Sequence, residues 1–292
     1  MQNISLLLFS VVESEPFRFQ HCMTICLISP PLVVGIVTRQ ATILISALFL
    51  STLMGGCIGF LEEKKDLDLV VTYSSTNGTI VESYEDGERV GLNGVELMFD
   101  FSQTTSDAEL VRFGVNFLNG TPGTTIEASD GDEVIVEFLE HGLHEIALFA
   151  LDSDGQQVIT TVIIRIELRM NWIETSTYEP LAMPLNSLPV NEGIPPAAII
   201  IESHVENPAL IENVGGGQSV DVAWGLIDET NSACQRHEGT VDEGQTISWN
   251  TVHFNTYEVH ELTIQYEEGQ DYLNINQTVF LQYEALETPP TE

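Results

Sequence analysis

The stretch Glu145-Ile-Ala-Leu-Phe-Ala-Leu-Asp152-Ser-Asp154-Gly155-Gln-Gln-Val158-Ile-Thr-Thr-Val-Ile-Ile-Arg-Ile-Glu-Leu168 decides the fold. It reads as two strands, Glu145–Leu151 and Val158–Leu168, joined by an acidic turn that ends on Asp154-Gly155. The period-two pattern begins upstream, at Leu69. It continues through Leu69–Tyr73, Thr79–Ser83, Val95–Phe101, Leu110–Phe117 and Glu133–Phe138. Turn pairs separate these runs: Asn77-Gly78, Asp86-Gly87, Asn93-Gly94, Asn119-Gly120 and Asp130-Gly131. Short strands at this spacing, with no amphipathic helix between them, predict an all-β chain built as a β-sandwich.

Two motifs sharpen that expectation. Val95-Glu-Leu-Met-Phe-Asp-Phe-Ser102, with Asp107 following, is similar to the opening of a PKD-type (polycystic-kidney-disease repeat) Ig-like domain. Gly142-Leu-His-Glu-Ile-Ala-Leu-Phe-Ala-Leu-Asp152-Ser-Asp154-Gly155 resembles that family's close. Between them the family's tryptophan and acidic positions are replaced by Val115-Asn-Phe117-Leu-Asn119-Gly120. The resemblance covers about residues 84–167. It implies a sandwich used for adhesion, spacing or presentation, and it transfers no catalytic residue.

A second β unit follows, with strands expected at Ala197–Ser203, Ser219–Trp224, Thr246–Trp249, Glu258–Tyr266 and Leu273–Tyr283. Parts of it echo the first unit. Asp242-Glu-Gly-Gln-Thr-Ile-Ser-Trp249 follows Asp130-Gly-Asp-Glu-Val-Ile-Val136, and His260-Glu-Leu-Thr-Ile264 follows His144-Glu-Ile-Ala-Leu148. These echoes lie 112 and 116 positions apart, whereas Ser219-Val-Asp-Val-Ala-Trp224 echoes Val95-Glu-Leu-Met-Phe99 at 124. Two tandem Ig-like/PKD-like sandwiches account for this spacing better than one large domain does. The expected layout is a signal or anchor region at 1–57, a tether at 58–68 and a PKD-like sandwich at 69–169. A Pro-rich junction at 170–196, a second sandwich at 197–285 and a disordered tail at 286–292 complete it. Met170-Asn-Trp-Ile-Glu-Thr175 continues the preceding strand or begins the junction.

The 292 residues carry 9 Lys and Arg against 44 Asp and Glu, a net charge of −35. Only Glu13, Glu15, Arg18 and Arg39 precede Cys57, so the imbalance belongs to the part beyond it. A surface so acidic repels phosphate backbones and anionic lipid, which excludes nucleic acid as a partner, and it suits solvation in salt water. Upstream, Ala41–Cys57 is an apolar run behind Arg39 that ends on Met54-Gly55-Gly56-Cys57. It resembles the lipobox of bacterial and archaeal lipoproteins, with Met54 where leucine is usual. Cys57 is then the lipidation site, and the bulk of the chain lies outside the cell. The alternative is an uncleaved single-pass helix through Ala41–Leu61, which gives the same orientation. Residues 1–36 read either as further membrane anchor or as an extension created by a start codon set too early, with translation from Val37.

The motifs carry no familiar catalytic signature. His144-Glu145 and His260-Glu261 lack the second histidine of a zinc protease, and no nucleophile elbow or P-loop occurs. Both histidines are expected to be structural. Asp152 and Asp154, with Asp130 and Asp132, form two acidic turns that could supply part of a calcium shell, although solvated hairpin turns are the simpler reading. Cys234-Gln-Arg-His237 has two-ligand spacing in what reads as a polar loop, where a lone thiol could also pair between molecules. Trp172, Trp224 and Trp249 are expected in the core or at the junction. Asn77, Asn119 and Asn276 open glycosylation sequons. The resulting expectation is a non-enzymatic, membrane-anchored surface lipoprotein, without cofactor unless calcium, acting as an adhesion, scaffold or spacer module toward a protein or glycan. The alternative is a surface protein for carbohydrate or calcium-dependent recognition, and the third reading is a catalytic domain without familiar motifs.

Overall fold

The computed structural model describes residues 66–209, 217–268 and 272–291. Ala41–Cys57, with its expected lipidation and anchor helix, lies outside these residues. Among the described residues no helix is long and apolar enough to cross a membrane. The chain from Glu63 to Glu292 forms one contact unit, and it is all-β, as the period-two pattern predicts.

Among the described residues fifteen strands follow one another. The first eight are β1 (Asn77–Glu85), β2 (Glu88–Asn93), β3 (Val95–Asp100), β4 (Leu110–Phe117), β5 (Thr124–Glu127), β6 (Glu133–Phe138), β7 (Gly142–Asp152) and β8 (Gln157–Thr177). The others are β9 (Met183–Asn186), β10 (Ala198–Asn207), β11 (Val220–Asp228), β12 (Ala233–Val241), β13 (Gln245–His253), β14 (Val259–Glu268) and β15 (Leu273–Gln282). They make one large sheet in the order β13-β10-β15-β8-β7-β4-β5, with β1 and then β2 attached beside β8. A four-stranded sheet, β12-β11-β14-β9, and a two-stranded sheet, β3-β6, complete the layers. All pairings are antiparallel except β1 with β8.

β8 positions everything else. Its 21 residues pair with β7 over the first half and with β15 over the second. Its even-numbered side chains are buried from Val162 to Glu174 without interruption. Ile164, Ile166, Met170 and Trp172 of β8 share their apolar cluster with Phe99 and Val134 from the two-stranded sheet and with Trp224 and Leu262 from the four-stranded sheet. Each fully buried side chain of this size contributes about 1.5–3 kcal/mol. The span expected as a Pro-rich junction, 170–196, thus carries the second half of β8 and also β9, whose Pro184 sits on an edge strand, where a missing N–H is tolerated.

Local chemistry explains the joints. Asp86 (φ 48°) and Gly87 (φ 83°) both adopt the left-handed region, which a two-residue hairpin turn between β1 and β2 requires. At Gly114 in β4, a Cβ would meet the Phe149 ring at 2.5 Å, so only glycine lets the ring lie against the strand. The pairings β3–β6, β4–β7 and β4–β5 recur as β10–β13, β11–β14 and β11–β12. The echoes of β6 in β13 and of β7 in β14 therefore fall on matching strands. The echo of β3 in β11 does not, because β11 occupies the place of β4, and this accounts for its discordant spacing. The expected strand Leu69–Tyr73 is reduced to isolated bridges from Thr72 and Tyr73.

The end of the chain, expected to be frayed, is tied down instead. Arg165 holds Glu287 through two hydrogen bonds, at 2.8 and 2.9 Å, and contacts Glu167 at 2.6 Å, all three being well shielded from solvent. The Thr288 amide donates to the Ile163 carbonyl, the Ile163 amide donates to the Thr288 hydroxyl, and Thr291 bridges to Tyr73. Charged pairs and edge hydrogen bonds together outweigh the entropy that a polar, Pro-containing tail would otherwise keep. Glu287→Gln should leave Arg165 partly unpaired and cost about 1–3 kcal/mol. Hydrogen exchange at the Ile163 and Thr288 amides should then accelerate while the β4 amides stay protected.

His141, in the turn before β7, hydrogen-bonds through Nδ1 to the Tyr283 hydroxyl at 2.8 Å. Burial pushes this imidazole from its ordinary 6.5 down to about 4; Glu82 opposes the shift and His144 adds to it. Below pH 6.5 the unfolded chain takes up this proton first, so the stability from neutral His141 is complete above pH 6.5 and is lost as pH falls toward 4. Acidification also relieves the repulsion of a −35 chain, so the difference between variants is the informative quantity. Between pH 7 and 4.5 the wild type should lose about 1–3 kcal/mol more than His141→Gln in urea unfolding.

Candidate functional site

The four aspartates of the acidic turns have separate duties. Asp152 is buried at the end of β7, where its Oδ1 accepts the Asp154 and Gln156 amides and its Oδ2 accepts the Ser106 hydroxyl. That carboxylate shapes the turn into β8. Asp154 is exposed at the turn's tip. Asp130 accepts the Ser129 hydroxyl, and the Asp132 carbonyl accepts the Phe101 amide. The four do not converge into a group of three ligand atoms among the described residues. The sequon residues Asn77, Asn119 and Asn276 are all exposed, the last in mid-strand on β15 rather than in a turn.

Cys234 does not partner His237. His237 stacks on Trp249, with ring centroids 6.2 Å apart, and lies against Trp224 at 5.6 Å. Cys234 is in a strand rather than a loop. In the β11–β12 pairing, Leu226 opposes Gln235 and Ile227 opposes Ala233, so Cys234 is the extra residue of a β-bulge. A bulge re-aims a side chain. Here the thiol comes together with His253, the last residue of β13, and His260, the second of β14. The three ligand atoms lie within 4.8 Å of one another, and the two rings meet edge-on at 4.9 Å between centroids. No other group of three or more such ligands occurs among the described residues.

The two matching histidines differ in their surroundings. His144 bonds the Glu140 carbonyl through Nε2 at 2.9 Å, as a structural histidine should. His260 is 1% exposed, yet neither ring nitrogen has a hydrogen-bond partner among the described residues, and His253 Nε2 is likewise unpartnered. The hydrogen bond that a structural His260 would make has no partner among the described residues, and the ring instead packs edge-on against His253. Burial pushes the His253 imidazole below its ordinary range; His260 adds to this and Glu258 opposes it. Burial pushes the Cys234 thiol up, and the charges of Asp228 and Glu258 push it further. A thiol and two imidazoles are donors for a soft or borderline metal ion, not for calcium.

Between the two histidines runs the loop at residues 254–258. Thr256 is buried and anchors the loop, donating its hydroxyl to the Pro196 carbonyl at 2.6 Å. The Ser187 hydroxyl donates to the Thr256 carbonyl at 3.0 Å. Phe254 and Tyr257 flank this anchor and stand out at 73% and 71% exposure. Elsewhere the concavities are open furrows. One of about 390 Å³ lies beside Phe117, Phe138 and His144, and one of about 330 Å³ crosses the outer sheet face at Arg169, Ile200 and Phe280. The three tryptophans are buried and provide no exposed platform.

No protein-family model matches the sequence, and no curated protein matches it. Solved structures give distant likenesses. A carbohydrate-binding module of the β-sandwich superfamily aligns with TM-score 0.27 and 8% identity, over 72% of this chain and 95% of that one. Bacteroides uniformis β-glucuronidase aligns with TM-score 0.24 and 9% identity, over 74% of this chain and 30% of the enzyme. A Clostridium perfringens protein comprising a carbohydrate-binding module and neighbouring domains aligns with TM-score 0.22 and 9% identity, over 75% and 49%. Likenesses at this level are distant resemblances between β-sandwiches and assign no ligand.

Asp152→Ala should remove three hydrogen bonds from a buried turn and cost about 2–4 kcal/mol. Asp154→Ala should cost less than about 0.5 kcal/mol. Denaturant midpoints of the two variants, measured with and without calcium, test whether the turn's carboxylates act structurally: calcium should leave the ranking unchanged.

Proposed function

We propose that this protein is a non-catalytic recognition module that binds neutral glycans through the loop at residues 254–258. The observation that carries the reading is the pair of exposed aromatic rings, Phe254 and Tyr257, held by a buried Thr256. An exposed ring offers a flat apolar face to the C–H face of a sugar, and an anchored loop loses little entropy when it binds. The acidic surface favours neutral over sulfated or carboxylated glycans, because like charges repel. The lipobox-like Ala41–Cys57 supports a place on the outer side of a membrane, and the motifs at 84–167 support PKD-type kinship for the first half.

A second reading is a spacer that holds another module away from the surface. It is favoured by β8, whose 21 residues span about 70 Å and enter both halves of the core.

Calorimetric titration of the purified protein with neutral and sulfated oligosaccharides separates these readings. Neutral sugars should bind, and Phe254→Ala and Tyr257→Ala should each weaken binding by about tenfold, a loss of ~1.4 kcal/mol. The melting temperature should stay within about 2 °C of wild type, because neither ring is packed in the core. Absence of heat with every neutral sugar at millimolar concentration would leave the spacer reading.

A further inference from the structure

The strands that flank the aromatic loop both carry an imidazole at its base, and a bulged cysteine faces them from the sheet edge. We propose that Cys234, His253 and His260 form a binding site for one borderline transition ion of the zinc class, which joins the two sheets beneath the Phe254–Tyr257 loop.

The donor set comes first. A thiolate and two imidazoles match the ligands that zinc takes, whereas calcium and magnesium require oxygen. At tetrahedral zinc distances the sulfur and nitrogens would stand about 3.3–3.6 Å apart. They already lie within 4.8 Å, so side-chain rotation of about an ångström closes the site. Three protein ligands leave the fourth position open to solvent or to a fourth donor. Cys234 and His253 are partly exposed, which gives the ion a path from solvent, while His260 forms the buried floor.

The second observation is independent of that spacing. A histidine 1% exposed, with both ring nitrogens unpartnered, is disfavoured unless something accepts its lone pair. The contrast is internal to the fold, since His144 on the matching strand has its Glu140 carbonyl. Without the bulge in β12, Cys234 would follow the regular alternation of the strand instead of its own setting. Asp228, which pairs with His260 across β11 and β14, and Glu258 add negative charge beside the three ligands, which favours a cation.

The placement says what the ion would do. β13 belongs to the large sheet, and β12 and β14 belong to the four-stranded one. One ion would therefore cross-link both layers at the open end of the second half. It would also fix both ends of the segment that carries Phe254 and Tyr257. The site stands on its own residues; only the benefit to the loop rests on the glycan reading.

The test uses the full chain in detergent, stripped of metal, with millimolar magnesium present to saturate the acidic surface. Zinc should bind at one equivalent and raise the melting temperature by about 5 °C at a hundredfold excess over Kd. Cobalt(II) should give a thiolate-to-cobalt charge-transfer band. Zinc should slow hydrogen exchange across residues 254–259. Cys234→Ala should melt within about 2 °C of the metal-free wild type. It should lose the cobalt band and bind zinc at least about a hundredfold more weakly; His253→Gln should do the same without touching the thiol. The other cysteines remain in both variants, so the difference isolates this site. Equal zinc affinity in wild type and Cys234→Ala, or no thiolate–cobalt band in the wild type, would overturn the proposal. Either result leaves the sugar titration untouched, and failure of that titration leaves the metal site standing.

Discussion

The structure depends on one uninterrupted buried face. From Val162 to Glu174, alternate side chains of β8 point into apolar surroundings, and both halves of the molecule close over that row. A strand alternates sides with no freedom to skip, so a one-residue slip would turn the whole row to solvent and bring Ile163, Arg165 and Glu167 inside. The register with β7 and the register with β15 are thus locked by the same side chains. Glu174 closes the row by a different device: its carboxylate is buried, accepts the Trp172 indole N–H at 2.9 Å, and caps the Leu181 amide. A charged residue ends the apolar row where the chain must leave the core for β9.

In the second half, Cys234, His253 and His260 bring β12, β13 and β14 together, and Thr256 holds the loop between the two histidines to Pro196 and Ser187. Trp224 and Trp249 lie 6.4 Å apart between ring centroids, with His237 against both, and burial continues beyond them through Leu226, Leu262 and Leu185 to His260.

Strands with a buried alternate face were legible in the sequence. Val95–Phe101 and Glu133–Phe138 alternate visibly because one face meets a core, whereas Glu145–Leu151 reads as a nearly continuous apolar run because both of its faces are covered. The strands that were not legible share one property: β2, β5, β9 and β12 all lie at sheet edges. An edge strand is half-paired and buries few side chains, so polar sequences such as Ala-Cys-Gln-Arg-His-Glu-Gly-Thr-Val (233–241) carry no period to read. The constellation at Cys234 was hidden for the same reason. Its bulge lies on an unread edge strand, and its ligands come from three strands that sequence spacing does not relate. The duplication of His144 in His260 was visible, but their different surroundings were not. Some turns were legible, because Asp86, Gly87 and Gly155 hold backbone angles that few other residues adopt, but Asn77-Gly78, expected as a turn, opens strand β1 instead.

The bridge between Tyr73 and Thr291 has a consequence in time. Its partners are 218 positions apart, so the hydrogen bonds that complete the near end of the fold wait for residues at the far end of the chain. The Arg165 guanidinium likewise waits for Glu287 across 122 positions. A chain that emerges in order from its N-terminal side holds that edge beside β8 unpaired until the last dozen residues arrive. Closure over such spans is slow compared with hairpin formation. The first half can collapse early on its own hairpins, but its seal is among the last events of folding. During that interval an open strand edge is available to whatever meets the chain first, whether its own tail, a chaperone or a second unfinished copy.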